Sequence, residues 1–419
     1  MGIWEEKPKR DFMNIKDIDI QKNCYQWENF ASWPYYDREE IAAVTRVLRS
    51  GKVNQWTGTE VNAFEKEYAN YLGVKYCVAL VNGSVALDVA LAVLGIGKGD
   101  EVIVASRTFV ASASCVALRG AIPVFADVDP ESGNITAESI RKVYTSKVKA
   151  VIAVHLAGWP CALDELRNFC DKKGIYLIED CAQAHGAKYS GKPVGSFGDI
   201  ACFSFCQDKI ITTGGEGGLL ATNNKKLWQA AWSLKDHGRD FDVVFGQKGG
   251  TGFKWMVNSF GTNYRMTEMQ AAIGRIMLRK LDSWVKKRRK LAQILNENFA
   301  KMPALRTIIP AKEFYHSYYK YYVYVKLEKL RTGWSRDKIL QELAKNGIFC
   351  GSGACSEVYL EKAFKDYRHN LGLLVQKRLP VAKMLGETSM MFQVHPTLTE
   401  RDMNYIIDKM REILKVARK

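Results

Sequence analysis

The stretch IYLIEDCAQAHGAKYSGKPVGSFGDIACFSFCQDKIITTGGEGG, residues 175–218, contains two short apolar runs that each lead into polar residues. The first run ends in Glu179 and Asp180, and the second leads through Ser204 to Lys209. Near-continuous apolar runs of this length are typical of strands in a parallel sheet that is covered on both faces. We therefore predict two buried strands here, with polar side chains at their carboxyl ends.

Earlier parts of the chain repeat this pattern, with apolar runs at residues 74–81, 101–106, 122–129 and 148–158. Segments with helical spacing of apolar residues separate several of these runs, at residues 85–94, 111–120, 136–144 and 162–173. Strands that alternate with helices indicate an α/β fold, in which a mostly parallel central sheet lies between layers of helices.

The pattern changes after residue 270. A long helical stretch, residues 270–299, is followed by a strand-like run at 321–327, a helix-like segment at 335–347 and a strongly amphipathic final helix. A chain of 419 residues exceeds the usual size of one compact core. We predict an N-terminal extension over residues 1–30, a large α/β domain over 31–285 and a smaller C-terminal α+β domain over 286–419.

The net charge of the chain limits the classes of partner that it is expected to bind. Lys and Arg number 61 against 45 Asp and Glu, and a net charge of +16 favours an anionic partner: nucleic acid, a membrane surface or a phosphorylated small molecule. The densest basic run, VKKRRK at 285–290, fits a solvated helix face, and no nucleic-acid motif accompanies it. No apolar run approaches the ~20 residues that would insert into a membrane.

Ten cysteines without a CxxC pair, and six scattered histidines, do not have the spacing of a metal site, so we expect no metal. The first twelve residues contain no apolar signal core. Free thiols and the lack of a signal pattern favour a cytoplasmic protein.

Residues just after the strands are the candidates for chemistry, because ligands gather at the carboxyl ends of strands in open α/β sheets. Gly83 and Ser84 lie between a strand and a helix, where backbone N–H groups can bind a phosphate, although a serine there is more often only an N-cap. Asp180 could be a metal ligand, an acid or base, or the partner of a cationic ring nitrogen. Lys209, between apolar and glycine-rich segments, could be a surface charge or a nucleophile towards carbonyls.

One cofactor accounts for all of these features. A phosphate cradle, the ring of Phe109, a carboxylate and a Schiff-base lysine are what pyridoxal 5′-phosphate (PLP) requires. GGEGGL lacks the third glycine of a dinucleotide-binding fingerprint, and the GxxxxGK[ST] phosphate loop does not occur.

Longer stretches resemble the DegT/DnrJ/EryC1/StrS family of sugar aminotransferases, which have the aspartate-aminotransferase fold (fold type I). The resemblance covers roughly residues 33–290. It is carried by segments including FEKEYANYLGVKYCVALVNGSVALDVAL, DEVIVASRTFVASASCV, IEDCAQAHGAKYSGKPVGSFGDIACFSF and GTNYRMTEMQAAIG, together with Lys209.

The resemblance implies two catalytic residues. Lys209 would bind PLP covalently and move the proton between cofactor and substrate carbon, and Asp180 would keep the pyridine nitrogen protonated. Gln183 would contact the ring or its 3-oxygen, and Phe109 would stack on the ring face. His185, close by, is as consistent with a structural role as with a functional one.

The resemblance also implies where the phosphate binds. Gly83, Ser84 and Val85 would hold it at the helix start, with the hydroxyl of Ser204. Asn263 would reach the phosphate of a neighbouring subunit, so the working unit would be a homodimer with shared active sites.

The implied reaction moves an amino group, with glutamate as donor, through the aminated cofactor PMP onto a keto-sugar that is linked to a nucleotide, for aminosugar or surface-polysaccharide biosynthesis. Some relatives have histidine in place of the lysine and are dehydratases, so Lys209 favours transamination. A PLP- or PMP-dependent dehydratase and an aminotransferase for a free keto-sugar acid stay open, and a regulatory nucleic-acid-binding protein is a distant alternative. Asp208 and residues 347–364 depart from the family pattern, so the sequence does not identify the sugar.

Overall fold

The computed structural model describes residues 30–246, 256–354, 357–374 and 376–419. Of the predicted N-terminal extension, only Phe30 lies within these ranges, and Cys355 lies outside them. In the described parts of the chain, every helix is too short or too polar to cross a membrane.

The described strands, in chain order, are β1 (Tyr76–Leu80), β2 (Glu101–Ala105), β3 (Ile122–Ala126), β4 (Val148–Val154), β5 (Tyr176–Asp180), β6 (Lys188–Tyr189), β7 (Lys192–Pro193), β8 (Ile200–Ser204), β9 (Gly218–Thr222), β10 (Leu305–Arg306), β11 (Phe314–Tyr315), β12 (Tyr321–Val325), β13 (Cys350–Gly351) and β14 (Ser389–Phe392). The α-helices are α1 (Arg38–Ser50), α2 (Glu60–Leu72), α3 (Gly83–Val93), α4 (Ala111–Leu118), α5 (Ala137–Arg141), α6 (Leu163–Lys173), α7 (Lys225–Lys235), α8 (Phe241–Gly246), α9 (Glu268–Phe299), α10 (Arg336–Lys345), α11 (Lys362–Asn370), α12 (Pro380–Thr388) and α13 (Glu400–Ala417).

Seven strands form the central sheet, in the order β1-β9-β8-β5-β4-β2-β3. Every neighbouring pair from β3 to β8 is parallel, and β9 alone runs antiparallel to its neighbours β8 and β1. The α/β fold with a mostly parallel sheet is therefore confirmed. The carboxyl ends of β1, β2, β5 and β8 meet at one edge, where the candidate residues lie.

The sequence analysis missed β9. This five-residue strand begins in the glycine-rich segment and pairs with β8 to form a hairpin. The first residue of this strand is Gly218, and it must be a glycine because a Cβ atom there would lie 2.2 Å from the carbonyl oxygen of Asn82. The close approach of two backbones requires glycine here. Because glycine is rare in strands, the sequence pattern indicates a loop at the start of β9.

The C-terminal part contains a four-stranded antiparallel sheet, β10-β12-β14-β13. Its apolar side chains form a second hydrophobic cluster with α10 and α13. A small third sheet, β11-β6-β7, joins the two parts of the chain.

The 32-residue helix α9 takes part in both hydrophobic clusters. Leu281 and Val285 pack in the large cluster, whereas Leu291 and Phe299 pack in the second. The predicted boundary at residue 285 therefore falls inside a continuous helix. Later residues, from Val358 to Leu385, return to the large cluster. The division of the chain at 285/286 stays a prediction.

Candidate active site

The turn between β1 and α3 brings two predicted phosphate-binding residues together. Asn82 caps the helix, because its side-chain oxygen accepts a hydrogen bond from the Val85 backbone nitrogen at 2.9 Å. Gly83 packs so closely on β8 that a Cβ atom would lie 2.5 Å from the Cβ of Ser204. Ser84 is exposed at the same helix N-terminus, where first-turn N–H groups have no acceptor within the helix. The turn is thus shaped as an anion site, although the Val85 N–H already has a partner.

Asp180 is a buried carboxylate at the end of β5. Its Oδ2 accepts a hydrogen bond from Ser112 Oγ at 2.6 Å, and its Oδ1 accepts one from the Ala182 nitrogen at 3.1 Å. Burial raises the pKa of Asp180, and these two hydrogen bonds oppose the shift. Among the described residues, no cationic side chain forms an ion pair with it. A lone buried carboxylate of this kind fits a protonated pyridine nitrogen.

Phe109 and Gln183 lie at the same edge of the sheet. Phe109 follows β2 and leaves 59% of its surface exposed, which is unusual for a large apolar ring. The Oε1 atom of Gln183 accepts a hydrogen bond from the Ala157 nitrogen at 2.8 Å, in the turn that follows β4. This bond leaves the amide nitrogen of Gln183 as the end that can donate to a ligand.

Lys209 lies in the loop between β8 and β9, with only a small part of its side chain exposed. Its Nζ is 3.4 Å from Tyr319 Oη and 3.4 Å from Asp208 Oδ1. Trp33 Nε1 donates a hydrogen bond to the Lys209 carbonyl oxygen at 2.9 Å, which fixes the loop backbone. The amine is therefore held by the adjacent Asp208 and by the distant Tyr319, and it is not a surface charge.

Asp208 links this amine to the C-terminal part of the chain. The Tyr319 hydroxyl donates a hydrogen bond to its carboxylate, and Lys320 Nζ lies 3.7 Å from its Oδ2. Burial tends to raise the pKa of Asp208, but the charges of Lys209 and Lys320 outweigh it and hold the pKa below its usual range. Asp208 is therefore ionised at neutral pH.

His185 is enclosed beneath the site and has both ring nitrogens engaged. Nδ1 lies 2.7 Å from the Tyr68 hydroxyl, and Nε2 lies 2.8 Å from the Ser204 carbonyl oxygen. The carbonyl can only accept, so Nε2 carries the proton and Nδ1 accepts from the tyrosine. Burial lowers the pKa of His185 to about 4. This geometry makes His185 a support for the end of β8.

Asn263 lies beside the end of β1 in its own chain. Its Oδ1 accepts a hydrogen bond from the Arg265 nitrogen at 3.3 Å, and Arg265 pairs with Leu80 in an isolated β-bridge. The side chain is exposed. The contact of Asn263 with a neighbouring subunit's phosphate stays a prediction.

A cluster of His155, Glu179 and Cys181 brings potential metal ligands within 4.8 Å of one another. The Glu179 carboxylate, however, accepts hydrogen bonds from His155 Nε2 and from the backbone nitrogens of Gly195, Phe197 and Gly198. These bonds occupy both carboxylate oxygens, so Glu179 anchors the loop before β8.

Tyr319 and Lys320 were not among the residues predicted from the sequence. They occur in YYKYY, residues 318–322, where a single lysine among four tyrosines is the one available signal. Nor was Arg288, which lies fully buried beside Trp33. Its place in a basic run predicts a solvated helix face. The C-terminal part of the chain packs over this residue, so Arg288 is buried instead.

The fold, with a partly buried lysine and a buried carboxylate at the carboxyl edge of the sheet, is that of aminotransferases that use PLP. The profile of the DegT/DnrJ/EryC1/StrS aminotransferase family matches residues 34–411, and the chain belongs to this family. The predicted resemblance is confirmed.

Named relatives support the same class. GDP-perosamine synthase of Vibrio cholerae is 38% identical over 286 residues, which are 68% of this chain and 74% of the relative. The structure of an aminotransferase from Psychrobacter cryohalolentis has a TM-score of 0.89 and 50% identity, covering 92% of this chain and 99% of that chain. A protein of Streptococcus pneumoniae described as a sugar aminotransferase in its PLP form has a TM-score of 0.81 and 26% identity, covering 92% and 98%. The protein is a PLP-dependent aminotransferase.

Proposed function

We propose that this aminotransferase moves the amino group of glutamate onto a keto-sugar carried by a nucleotide, as a step in making an aminosugar for a surface polysaccharide. The observation that carries the proposal is the position of Lys209, clamped beside Asp208 and Tyr319 at the carboxyl edge of the sheet. Membership of a sugar aminotransferase family supports the substrate class. The name of the Vibrio relative makes a GDP-linked keto-sugar the first acceptor to test.

The residues at the sheet edge would hold PLP in one orientation. The α3 N-terminus at Gly83 and Ser84, with Ser204, would bind the phosphate, and Phe109 would cover one face of the ring. Asp180 would keep the ring nitrogen protonated, which suits a carboxylate whose pKa burial raises and which forms no ion pair with a described residue. When bound, PLP supplies the electron sink for breaking a bond at the amino-bearing carbon.

Lys209 would carry the proton between donor carbon and cofactor, because its amine is a basic group at the carboxyl edge of the sheet, where the cofactor would bind. Asp208 and Tyr319 hold that amine from two sides, each at 3.4 Å. Their role would be to orient the amine. The bond from Trp33 to the Lys209 carbonyl fixes the loop that bears it.

A second copy of the chain would complete the site. Near Asn263, the described residues Met256, Val257 and Phe260 expose large apolar side chains, and Phe260 is fully exposed. Apolar side chains so exposed are typical of a surface that another protein covers. A homodimer that buries this stretch would bring Asn263 to the phosphate of its partner.

A screen of keto-sugars tests the function. The purified protein, loaded with PLP, is incubated with glutamate and with GDP-linked, other nucleotide-linked and free keto-sugars, and products are identified by mass spectrometry. We expect a product in which an amino group replaces the keto oxygen, with one 2-oxoglutarate formed per product. Loss of water from the sugar without 2-oxoglutarate would instead identify a dehydratase, and no reaction with any keto-sugar would overturn the proposal.

A further inference from the structure

The side chains around the Lys209 amine carry more positive than negative charge. Lys209 and Lys320 both approach Asp208, at 3.4 Å and 3.7 Å, and no other carboxylate of the described residues forms an ion pair with either lysine. Arg288 adds a third cation, near enough to lower the pKa of Lys320 and to interact with the charge of Asp208. Two cations therefore pair with one carboxylate, and the third adds to the positive charge around it.

Arg288 has unused hydrogen-bonding capacity. It is 1% exposed, and its Nη1 donates to the carbonyl oxygens of Tyr318 and Tyr319 at 3.4 Å and 3.3 Å. Its Nε and Nη2 have no acceptor among the described residues. Burial lowers its pKa to about 9, and Asp208 opposes the shift. A buried guanidinium with two free donors is stabilised when an anion binds nearby.

Lys320 lies close to the place of reaction. The residue is only 6% exposed, and its Nζ donates to Gln393 Oε1 at 2.9 Å. That Nζ lies 4.5 Å from the centroid of the Tyr319 ring, and Lys209 Nζ lies 5.0 Å from the same centroid. The two nitrogens therefore lie against one ring, and both approach the carboxylate of Asp208.

We propose that Lys320, backed by Arg288, forms a subsite for a carboxylate on the molecule that reacts at Lys209. The inference rests on the proposed function, since it assumes a substrate that reaches this amine. A carboxylate is a terminal group and can approach Lys320, which is buried except for 6% of its surface. A bridging diphosphate would carry a nucleoside beyond it and would need an open path.

Two molecules of the proposed reaction can supply this carboxylate. One is a keto-sugar that is also a sugar acid, and the other is glutamate through its side chain. Asp208, which is half exposed, would pair with Lys320 until the substrate carboxylate arrives. In both cases Lys320 decides which substrates bind well.

The charge of Lys320 gives the subsite a pH dependence. Burial lowers its pKa to about 8, with Arg288 and Lys209 acting in the same direction and Asp208 opposing them. Carboxylate binding should therefore weaken as the pH rises through about 8, where the ammonium loses its proton. The charged and titratable groups that face Lys320 are Lys209, Asp208, Arg288, Tyr319 and His395. Burial lowers the pKa of His395 to about 3, so it stays neutral in this range.

Binding of glutarate, an unreactive dicarboxylate, tests the subsite. The full-length protein loaded with PLP is compared with Lys320→Met and Lys320→Arg by titration, following cofactor absorbance and tryptophan fluorescence. We expect Lys320→Met to weaken glutarate binding by about tenfold or more, because it removes one member of a buried charge pair. Lys320→Arg should bind glutarate well and lose the weakening that is centred at about pH 8, since the arginine at this position keeps its charge.

The control ligand is inorganic pyrophosphate. Unchanged glutarate binding in Lys320→Met, or weakening of pyrophosphate alone, would overturn the carboxylate subsite. If Lys320→Met fails to fold, the pH profile of Lys320→Arg decides: a profile that falls through about pH 8 as the wild-type profile does rules Lys320 out. Glutarate binding is readable even if no keto-sugar reacts, so failure of the proposed function is a separate result.

Two half-reactions identify the source of the carboxylate. The first follows conversion of bound PLP by glutamate and by glutamine, which lacks the side-chain charge. The second follows return to PLP with a neutral keto-sugar and with a keto-sugar acid. If Lys320→Met raises the KM for glutamate but not for the other three substrates, the subsite binds the donor. If it raises the KM for the keto-sugar acid but not for the other three, the subsite binds the acceptor. No change of KM in either half-reaction would contradict the proposal.

Discussion

Asp180 carries a negative charge into the interior and has hydrogen-bond donors but, among the described residues, no cation in ion-pair contact. Asp180→Asn can keep the bond from Ser112 through its amide oxygen, but its N–H₂ group then faces the Ala182 nitrogen, and that bond is lost. The amide cannot stabilise a protonated ring nitrogen, so we expect most of the bound PLP to remain while turnover falls by about 100-fold or more. The measurement compares bound PLP with turnover in the same preparation.

Asp164→Asn, at an exposed position in the first turn of α6, is the matched control and should behave as wild type. If Asp180→Asn turns over near the wild-type rate, Asp180 has been assigned the wrong role.

At the scale of residues, Asp180 and Lys209 could be predicted because each follows a buried strand. Strand ends are visible in the sequence, and a parallel sheet brings them to one edge. Tyr319 and Lys320 could not be found in this way, because they reach Lys209 from more than 100 positions along the chain. Their contact depends on how the C-terminal part packs on the sheet, which periodicity does not specify.

At the scale of secondary-structure elements, Glu179 joins the end of β5 to the loop before β8 and so fixes the position of that loop next to the site. Four hydrogen bonds converge on its buried carboxylate. His155 Nδ1 accepts from the Cys161 nitrogen, so the proton of this ring is on Nε2 and points at Glu179. Glu179→Gln turns an amide N–H₂ towards donors, so we expect a loss of about 2 kcal/mol or more in the free energy of unfolding at pH 7.

The pH dependence of this loss follows from the pKa of Glu179. Burial alone would raise it, but the hydrogen bonds and His155 hold it below its usual value. A carboxyl whose pKa is lowered by folding stabilises the protein above its unfolded pKa, about 4.3, and loses this effect as the pH falls through its folded pKa. Denaturation at pH 7 and at lower pH should show the gap between wild type and Glu179→Gln shrinking in acid. The exposed Glu328→Gln should show no gap at either pH.

The turn between β1 and α3 leaves no space for a side chain at position 83. In Gly83→Ala, the new Cβ would lie 2.5 Å from Ser204 Cβ and 3.1 Å from its Cα, so the end of β8 must shift. Overpacking of this kind costs about 1–3 kcal/mol, and here it would displace two proposed phosphate ligands. We expect weaker PLP binding in a titration of the protein freed of cofactor.

Gly97→Ala provides the comparison, because its nearest neighbouring atom would be 3.6 Å away, an ordinary contact. Equal PLP affinity in both variants would remove the argument for a phosphate cradle at Gly83.

Most elements of the fold were visible in the sequence because long helices and buried strands have clear apolar patterns. The helix predicted over 85–94 begins two residues earlier, at Gly83, because the capping residue is Asn82 and not Ser84. The run at 148–158 gives a strand only to Val154, since the next residues form the short 3₁₀ turn Leu156–Gly158. Local patterns thus located the elements, while their ends depended on capping and on tertiary contacts.

For the whole molecule, the proposed shared site can be tested by mixing two inactive variants. Asn263→Asp would place a carboxylate against the phosphate, and Lys209→Ala removes the amine that reacts. If Asn263 acts across a two-fold interface, a mixed dimer has one site with both changes and one site with neither. Subunit exchange should then restore activity towards half of the wild-type rate per mixed dimer.

The exchange itself is followed separately, by differently tagged subunits. No recovery despite exchange would mean that Asn263 acts within its own chain, and an active monomer would show that each chain forms a complete site.

The position of helix α9 in two hydrophobic clusters affects how cooperatively the protein unfolds. Residues of the helix's first half pack in the large hydrophobic cluster and residues of its second half pack in the second cluster, so melting of the helix would expose part of both. Two cores with separate walls would unfold independently, whereas cores that share a wall are coupled. Scanning calorimetry should therefore show one cooperative transition, with equal calorimetric and van't Hoff enthalpies for the folded subunit. Leu291→Ala, in the half of α9 that faces the second cluster, should lower the melting temperature of both clusters together.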